Sequence, residues 1–362
     1  MINVHTTFSK IIDRDRKSIW LLPLYLISLI YGGIISLRNI LYDHNILTQK
    51  KVSVKVISIG NITIGGTGKT PAVIMLAQIL KKNGYRPAVV SRGYGGKSLN
   101  PVNIASNGDQ ILIKTQEAGD EPVLIARRLT SIPVITGKDR YAAAQYALKN
   151  FDINLIILDD AFQHRTLFRD VDILLLDAKR PFGNGLLIPG GRLREPTGSI
   201  ERADIIVATG NREENASTIS RIIEERFSSK ILFTGYRKTK DIMNGHSGEI
   251  LSGDCLRGRK IYAFSGIAQP DNFLQTITDQ GGIVTGELIF PDHHVYKKED
   301  LKRIKEQAAA SRADMILTTE KDYMKLVDFG HLLKDIFILR ITMEVAQERE
   351  LEKYILARLA EK

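Results

Sequence analysis

The segment Gly65-Gly66-Thr67-Gly68-Lys69-Thr70 stands between an apolar run, Val54–Ile59, and a helix-forming run, Pro71–Lys82. A strand, a glycine-rich turn and a helix N-terminus in this order form a cradle for phosphate, because backbone N–H groups point inward and the helix dipole adds positive potential. In such a loop the Lys69 ammonium reaches the terminal phosphates and the Thr70 hydroxyl faces a Mg²⁺ ion. The segment therefore predicts a nucleotide-phosphate site.

One position departs from the strict phosphate-loop pattern, which has glycine where this chain has Thr63. The strand, the Lys-Thr pair and the helix are nevertheless in order. Pro71 also suits the first helical turn, where its missing N–H costs nothing. A glycine-rich turn without a ligand is the alternative interpretation, and we favour the phosphate site.

Composition limits the classes of protein to consider. The 362 residues, 43% of them hydrophobic, can bury a full core and indicate two domains. The single cysteine, Cys255, excludes a disulfide framework and fits a reducing compartment. A net charge of +10 favours anionic partners such as a nucleotide, a phosphorylated substrate or anionic lipid. Basic residues are scattered and no zinc-finger spacing is present, so we expect no nucleic-acid partner. Nothing indicates an obligate protein partner.

The N-terminal region, residues 1–45, contains an uncharged apolar run from Ser18 to Leu37. This run just reaches the length needed to cross a bilayer. Basic residues lie on both sides of it, which opposes a full crossing if the nucleotide site is cytosolic, and Pro23 and Gly32-Gly33 interrupt it. No small-residue cleavage site follows, so we do not expect a removed signal peptide. We expect a shallow, membrane-associated helix; a full span and a helix buried in the protein are the alternatives.

From residue 52 onward, apolar strand candidates alternate with helical stretches. The candidate strands are continuous apolar runs: Val54–Ile59, Ala88–Ser91, Val134–Thr136, Leu155–Leu158, Ile173–Leu176 and Ile205–Thr209. Such runs are typical of a parallel sheet that is covered on both faces. The predicted fold class is therefore α/β, a P-loop-like doubly wound parallel sheet.

A second alternating unit begins at Ile261 and predicts a smaller C-terminal α/β domain. The expected organisation has five parts: the N-terminal hydrophobic region (1–45), a nucleotide-binding core (46–228), an extended linker (229–260), the smaller domain (261–345) and a C-terminal helix (346–362).

Two adjacent carboxylates, Asp159 and Asp160, follow the apolar run Leu155–Leu158. Ligands of open α/β sheets bind at the C-terminal ends of the strands, and in a phosphate-loop protein such a carboxylate orients Mg²⁺. A helix cap is the alternative, but the upstream Lys69-Thr70 pair favours metal binding. His164 follows closely, and both a packing role and a chemical role are open for it.

Other polar clusters follow predicted strands. Arg92 could bind a substrate phosphate, and Asp120 is either a helix N-cap or a catalytic base. Arg194 and Glu195 lie on a loop constrained by prolines at 189 and 196. The Asp292-His293-His294 cluster could suggest a metal, but no further ligand stands at suitable spacing, so we do not expect zinc.

These segments together resemble the tetraacyldisaccharide 4′-kinase family, the lipid A 4′-kinases of Gram-negative envelope synthesis. The matching pieces run in family order: Gly60–Pro71, Ser91–Gly95, Gly119–Pro122, Asp159–His164, Pro189–Pro196, Phe264–Ala268, Asp292-His293 and Thr319–Asp322. The family usually has glycine where this chain has Ala161, a change that should be tolerated unless the position needs a positive φ.

The resemblance implies transfer of the ATP γ-phosphoryl group to the 4′-hydroxyl of a tetraacylated glucosamine disaccharide 1-phosphate. It also implies ATP and Mg²⁺ as cofactors and a monotopic or peripheral enzyme on the cytoplasmic face of the inner membrane of a Gram-negative bacterium. Anionic inner-membrane lipid is then an expected partner, because a substrate with four acyl chains does not leave the bilayer.

Residue roles follow from the same resemblance. The segment Gly65–Thr70 and Arg194 would hold the nucleotide, with Lys69 also catalytic. Thr70, Asp159, Asp160 and Glu195 are the expected Mg²⁺ ligands. Asn61 and Arg92 would contact substrate. Asp120 would be the catalytic base, partnered by His293, and since these two fall in different predicted domains we expect domain closure to assemble them.

Two competing functions come from another class. A membrane-associated ATPase switch of the cell-division-positioning kind needs a signature lysine where this chain has Ile64. A membrane-targeted GTPase needs a guanine-reading lysine where the chain has Glu320. Both substitutions favour the kinase.

Overall fold

A computed structural model describes residues 22–210 and 216–361 of the chain. Helices and strands alternate along its length and most strand pairs are parallel, which confirms the predicted α/β class. The expected N-terminal apolar helix is present as α1 (Leu22–Asp43). Residues 1–21 of the N-terminal region, which include the start of the apolar run, lie outside the described residues.

The first half of the chain contains the six predicted strands and one strand, β3, that was not predicted. After α1 come β1 (Lys55–Asn61), α2 (Lys69–Lys82), β2 (Pro87–Ser91), β3 (Val102–Ser106), α3 (Thr115–Ala118), α4 (Asp120–Arg128), β4 (Val134–Gly137), α5 (Arg140–Asn150), β5 (Leu155–Asp159), β6 (Val171–Asp177), a 3₁₀ helix (Thr197–Arg202) and β7 (Ile205–Gly210).

The second half repeats this pattern. Its elements are α6 (Ala216–Arg226), β8 (Ile231–Asn244), β9 (Ile250–Leu251), a 3₁₀ helix (Gly253–Leu256), β10 (Lys260–Ser265), α7 (Pro270–Asp279), β11 (Ile283–Ile289), α8 (Lys298–Ala310), β12 (Met315–Thr319), α9 (Glu320–Leu326), a 3₁₀ helix (Val327–Leu333), β13 (Ile336–Val345) and α10 (Glu348–Ala360).

The described residues divide into two compact units. Unit 1 takes its residues from 1–92, 137–236 and 344–362. Its sheet has the strand order β8-β7-β6-β1-β5-β2, to which β8 contributes Ile231–Tyr236, and every pair in it is parallel. β1 is central, and Ile59 pairs with Asp159 of β5, so the phosphate loop and the Asp159-Asp160 pair leave the sheet at the same edge.

Unit 2 contains residues 93–136 and 237–343. Its parallel strands have the order β11-β10-β12-β13. Alternate residues of β10 enter separate cores: Tyr262 and Phe264 pack with α8, while Ile261 and Ala263 pack with α7. This alternation, with helices on both faces, is what near-continuous apolar strands predict.

The two units differ from the domains expected from the sequence. Residues 93–136 were expected in the nucleotide-binding core but belong to unit 2, where α4 packs against α9. The expected linker at 229–260 contains the strand β8, which pairs with β7 through Ile231–Tyr236 and with β9 through Ile242 and Met243. The polar run Arg237–Asp241 in the middle of β8 gave no sequence signal for a strand.

Helix α1 continues through Gly32 and Gly33, which the sequence analysis expected to interrupt it. A Cβ atom on Gly32 would lie 2.7 Å from Leu187 Cδ1, so this glycine allows α1 to approach the loop at 187–195 closely. Close packing therefore compensates for the low helix propensity of glycine.

Candidate active site

The phosphate loop has the geometry that its sequence predicts. β1 ends at Asn61, and α2 begins at Lys69 directly after Gly68, which has a φ of 84°. Gly65 also has a positive φ, 131°, so two of the loop's glycines adopt conformations that other residues rarely take. Pro71 lies in the first turn of α2, as expected. The loop thus precedes the N-terminus of a helix, a position that favours the binding of an anion by backbone N–H groups.

Two buried hydrogen bonds to Thr67 hold the phosphate loop in place. Thr209 Oγ1 donates to the Thr67 carbonyl at 2.8 Å, and Asn61 Nδ2 donates to Thr67 Oγ1 at 3.0 Å. Asn61 is fully buried, and its side-chain amide group supports the loop in this structure. Thr63, the departure from the strict pattern, forms an antiparallel bridge with Leu193.

A charged cluster lies at the start of α2. Lys69 Nζ is 3.6 Å from Asp160 Oδ1, and Arg194 donates to the Asp160 carboxylate at 2.9 and 3.1 Å. Burial opposes ionisation of Asp160, but the charges of Lys69 and Arg194 hold the pKa of its carboxyl below the usual range. The structure therefore brings together three residues that the sequence analysis assigned to nucleotide and Mg²⁺ binding.

The neighbouring carboxylate is held differently. Asp159 is buried at the end of β5 and accepts a hydrogen bond from Ser91 Oγ at 2.9 Å. Asp160 has a positive φ of 47°, whereas Ala161 is not among the positive-φ residues, so the methyl group of Ala161 meets no backbone constraint. The departure from the family pattern at this position is therefore tolerated.

The loop at 187–195 connects helix α1 with the phosphate site. Its backbone pairs with the residues that precede the phosphate loop, since Arg194 N donates to the Ile62 carbonyl at 2.7 Å. On its other side, Tyr31 of α1 donates to the Arg194 carbonyl at 2.9 Å and Ser28 to the Leu187 carbonyl at 2.8 Å. The side chain that reaches Asp160 is thus placed by α1 as well as by the segment that follows β1.

Glu195 is fully buried and bound by protein groups. Its Oε2 atom accepts hydrogen bonds from Asn39 at 2.7 Å and from Arg202 at 2.9 Å, and Arg38 lies 3.5 Å from Oε1. Burial opposes ionisation, but Arg202 and Asn39 hold the pKa of the carboxyl below its usual range. In this structure Glu195 joins α1 to the loop, a role that its sequence position does not reveal.

Arg92 and His164, two further candidate site residues, differ in their exposure. Arg92 is exposed after β2, where an anion can reach it. His164 is half-buried, and partial burial and the charge of Arg140 lower the pKa of its imidazole to about 4. Its Nε2 atom lies 3.0 Å from Thr166 Oγ1. His164 is therefore neutral near pH 7, which favours the packing role.

The second cluster lies in unit 2. His293 Nδ1 is 3.1 Å from Asp120 Oδ2, and Asp120 is only 4% exposed. Burial opposes ionisation of Asp120, but the His293 hydrogen bond and the charge of Lys321 keep its pKa below the usual value. The same hydrogen bond raises the pKa of His293. Both residues belong to unit 2, whereas the sequence analysis placed them in two different domains.

Two lysines of α9 complete this cluster, and the sequence analysis missed both. Lys321 Nζ lies 3.3 Å from His293 Nε2 and 3.2 Å from Glu121 Oε1. Lys325 Nζ lies 3.8 Å from Asp120 Oδ2. The signal was available, because Lys321 stands inside the matching piece Thr319–Asp322, to which no role was attached.

Within the described residues, no group of three or more His, Cys, Asp or Glu side chains is arranged to hold a metal ion. His294 of the possible metal cluster binds Asp300 at 3.0 Å and stacks on Phe290. Thr70, Asp159 and Asp160 nevertheless offer the oxygen donors that Mg²⁺ prefers. Since Mg²⁺ is usually bound by one or two carboxylates together with substrate phosphates, these residues fit the ion.

A phosphate loop at the central strand of a parallel sheet, with Lys69 beside a carboxylate, defines the class as a P-loop nucleotide-binding α/β protein. The model of the family "Tetraacyldisaccharide-1-P 4'-kinase" matches residues 19–360. The chain therefore belongs to the tetraacyldisaccharide 4′-kinase family, which confirms the resemblance inferred from its motifs.

Individual relatives agree with this assignment. The chain is 43% identical over 352 residues to the tetraacyldisaccharide 4′-kinase of Syntrophus aciditrophicus, with 95% of this chain and 94% of that protein covered. It is 38% identical over 307 residues to the enzyme of the same name from Desulfotalea psychrophila, covering 84% and 87%. Among solved structures, LpxK from Aquifex aeolicus, described as an "apo" form in complex with ATP, has a TM-score of 0.75 and 34% identity, covering 94% of this chain and 98% of that chain.

Proposed function

We propose that the protein transfers the γ-phosphoryl group of ATP to the 4′-hydroxyl of a tetraacylated glucosamine disaccharide 1-phosphate, in lipid A biosynthesis. The observation that carries this proposal is the phosphate loop with Lys69 and Asp160 in a chain of this family. Phosphoryl transfer asks a protein mainly for positioning and charge neutralisation, and both clusters offer charged groups held in place by neighbours.

Unit 1 would hold the nucleotide. The backbone of Gly65–Thr70 would bind the phosphates, and Lys69 and Arg194 would face the γ-phosphate, since both already lie beside the carboxylate of Asp160. Thr70 with Asp159 or Asp160 would hold Mg²⁺, which when bound neutralises phosphate charge. Glu195 fits a direct ligand role less well, because its carboxylate is buried against Asn39 and Arg202.

Unit 2 would supply the base. Asp120 Oδ2 is held by His293 and its pKa is lowered, so the carboxylate is ionised at neutral pH and can accept the proton of the attacking hydroxyl. A sugar hydroxyl is a weak nucleophile, and general-base assistance is typically worth ~10²–10⁴-fold in rate.

Helix α1 would rest on the inner membrane. By length and composition it could cross a bilayer. In this structure, however, its buried residues are small or polar and many of its large apolar residues are exposed. Its buried residues are Ser28, Gly32 and Asn39, whereas Ile30 and Ile34 are 66% and 61% exposed. An exposed apolar stripe of this kind marks a membrane or partner surface, and a substrate with four acyl chains favours lipid.

The contacts of α1 favour an interfacial position over a span. The helix touches the loop and the following 3₁₀ helix from Ser28, which binds the Leu187 carbonyl, to Asn39, which binds Glu195 and Ser199. At 1.5 Å per residue these contacts cover roughly 16 Å of helix on one side. Protein therefore covers one face of α1 along much of the helix, and lipid would cover the opposite face. The helix would lie on the cytoplasmic side of the inner membrane of a Gram-negative bacterium.

Turnover of γ-³²P-labelled ATP, with and without the acylated disaccharide 1-phosphate in mixed micelles, tests the function. We expect label in the lipid product at the 4′ position, and little phosphate release without the lipid. Lipid-independent ATP hydrolysis with no labelled lipid would instead support the ATPase switch. An acceptor that already carries a 4′-phosphate is the control and should remain unlabelled.

A further inference from the structure

We infer that Lys321 is a positioning residue for the Asp120–His293 pair. Its ammonium group faces His293 Nε2 and holds the neutral imidazole in the tautomer that donates from Nδ1 to Asp120. This inference deepens the proposed function and rests on it for the role of Asp120 as the base.

The partners of the two ring nitrogens of His293 determine which tautomer the neutral imidazole adopts. An ammonium group has donors and no acceptor, so the ring nitrogen that it contacts must be unprotonated in the neutral imidazole. Lys321 Nζ lies 3.3 Å from Nε2, which leaves the single proton on Nδ1, 3.1 Å from Asp120 Oδ2. The opposite tautomer would direct the Nδ1 lone pair at a carboxylate oxygen, and two acceptors would then face each other.

Lys321 is itself held rigidly. Its ammonium lies between Glu121 Oε1 at 3.2 Å and Asp292 Oδ1 at 3.5 Å. The start of α9 is fixed by Thr319, which donates to Asp322 Oδ2 at 2.7 Å and accepts from the Asp322 N–H at 3.1 Å. A lysine fixed by two carboxylates at a capped helix end can hold one orientation relative to His293.

A second link fixes the two helices that carry the pair. Arg128, the last residue of α4, forms a buried ion pair with Glu320, the first residue of α9, at 2.8 Å. Thr115 of α3 also donates to the Met324 carbonyl at 2.8 Å. Because Asp120 begins α4 and Lys321 lies in α9, these contacts set the distance between the base and the lysine.

The charges around His293 set its protonation as well as its tautomer. The groups that face the imidazole or its immediate partners are Asp120, Glu121, Asp292, Lys321, Lys325 and the ring of Tyr94. The hydrogen bond to Asp120 raises the pKa of His293, and the charge of Lys321 opposes that rise. Loss of the lysine would favour a second proton on Nε2, for which Asp292 Oδ2, 3.9 Å away, is an available partner.

Nitrogen NMR of the full-length protein, labelled with ¹⁵N-histidine and held in detergent micelles, tests the inference directly. His293→Gln assigns the resonances. In the wild type above the pKa of His293, we expect Nδ1 protonated and Nε2 unprotonated. In Lys321→Met, we expect the pKa of His293 to rise by about one unit or more, a tenfold change in proton affinity. Lys321→Arg should restore the wild-type behaviour, and Lys302→Met, at an exposed lysine of α8, is the matched control.

Wild-type spectra with the neutral proton on Nε2 would overturn the inference. An unchanged titration of His293 in Lys321→Met would overturn it too, and Lys321→Gln provides the same test if the Met variant does not fold. Kinase assays separate this failure from that of the proposed function. If Asp120→Asn retains full kinase activity, Asp120 is not the base, while the NMR titration still decides what Lys321 does to His293. If both hold, the acid limb of the kcat profile in Lys321→Met should move to higher pH with the pKa of His293.

Discussion

His293 Nδ1 and Asp120 Oδ2 lie 3.1 Å apart within unit 2, and His293 holds its side chain there with a positive φ of 59°. A non-glycine residue in this region of φ/ψ space is uncommon and persists only where its surroundings support it. Here the His293 N–H donates to the Gly266 carbonyl at 3.2 Å. A substituent on Gly266 would meet the Pro291 carbonyl at 3.1 Å, so the turn that presents the imidazole is closely packed.

Replacing the base tests the proposed mechanism. Asp120→Asn keeps the size of the side chain and removes its ability to accept a proton, so we expect kcat to fall ~10²-fold or more. The affinity for ATP, measured by calorimetry, should stay near that of the wild type. Asp328→Asn, at an exposed carboxylate of the same unit, is the control. Wild-type kcat in Asp120→Asn would remove this residue from the mechanism.

The phosphate loop gives a second prediction. Lys69→Ala should weaken ATP binding, and Thr70→Ala should raise the Mg²⁺ concentration needed for half-maximal rate, since these side chains would face ligand. Lys82→Ala, at the exposed end of the same helix, should change neither. Thermal unfolding without nucleotide is the check on structure. A lost transition in Lys69→Ala or Thr70→Ala would mean that the residue supports the fold.

The pKa shifts of the Asp120–His293 pair predict how stability depends on pH. The pKa of Asp120 is lowered, so its contribution is present above the unfolded value and is lost as pH falls through the folded value. The pKa of His293 is raised, so its contribution is complete below about 6.5 and is lost as pH rises through the folded value. The drop in melting temperature caused by Asp120→Asn should therefore be largest near about pH 5–6 and smaller near about pH 9. A drop that is independent of pH would contradict this coupling.

Local patterns were sufficient for much of unit 1 and its site. The run Val54–Ile59, the glycines that follow and the Lys-Thr pair lie within one strand–turn–helix segment, so neighbouring residues determine the phosphate loop. The position of Asp159 at the end of an apolar strand is equally local. Each of these features depends on contacts between residues close in sequence or on the general rule for strand ends.

Features that depend on distant partners were not predictable in the same way. The burial of Glu195 depends on Asn39 and Arg202, and no periodicity indicates that pairing. The membership of residues 93–136 in unit 2 depends on α4 packing against α9, far along the chain. Helix propensity indicated a break at Gly32-Gly33, but packing of α1 on Leu187 outweighs it.

The contact between β1 and the Asp-pair turn gives a stability prediction. A Cβ atom on Gly60 would lie 2.6 Å from both Cβ and the backbone nitrogen of Phe162, which is fully buried. Gly60→Ala should therefore destabilise the protein by about 1–3 kcal/mol, the usual cost of overpacking. Gly198→Ala, where nothing lies within 4 Å of the added carbon, should be close to neutral. Denaturant unfolding of both variants decides the matter, and equal stabilities would contradict the close approach.

The exposed stripe of α1 gives the last prediction. Leu26, Ile30 and Ile34 are more than half exposed and follow each other at intervals of one helical turn. Burial of a Leu or Ile side chain contributes roughly 1.5–3 kcal/mol, so these three can supply several kcal/mol of membrane affinity. Changing all three to Glu should release the protein from phosphatidylethanolamine–phosphatidylglycerol vesicles in a flotation assay, while ATP binding persists because the polar contacts of Ser28, Tyr31 and Asn39 remain. Ile283→Glu, at an exposed apolar residue of unit 2, should leave flotation unchanged. Retention of the triple variant on vesicles after a high-salt wash would place the anchor elsewhere in the chain, and aggregation with loss of ATP binding would identify α1 as a core helix.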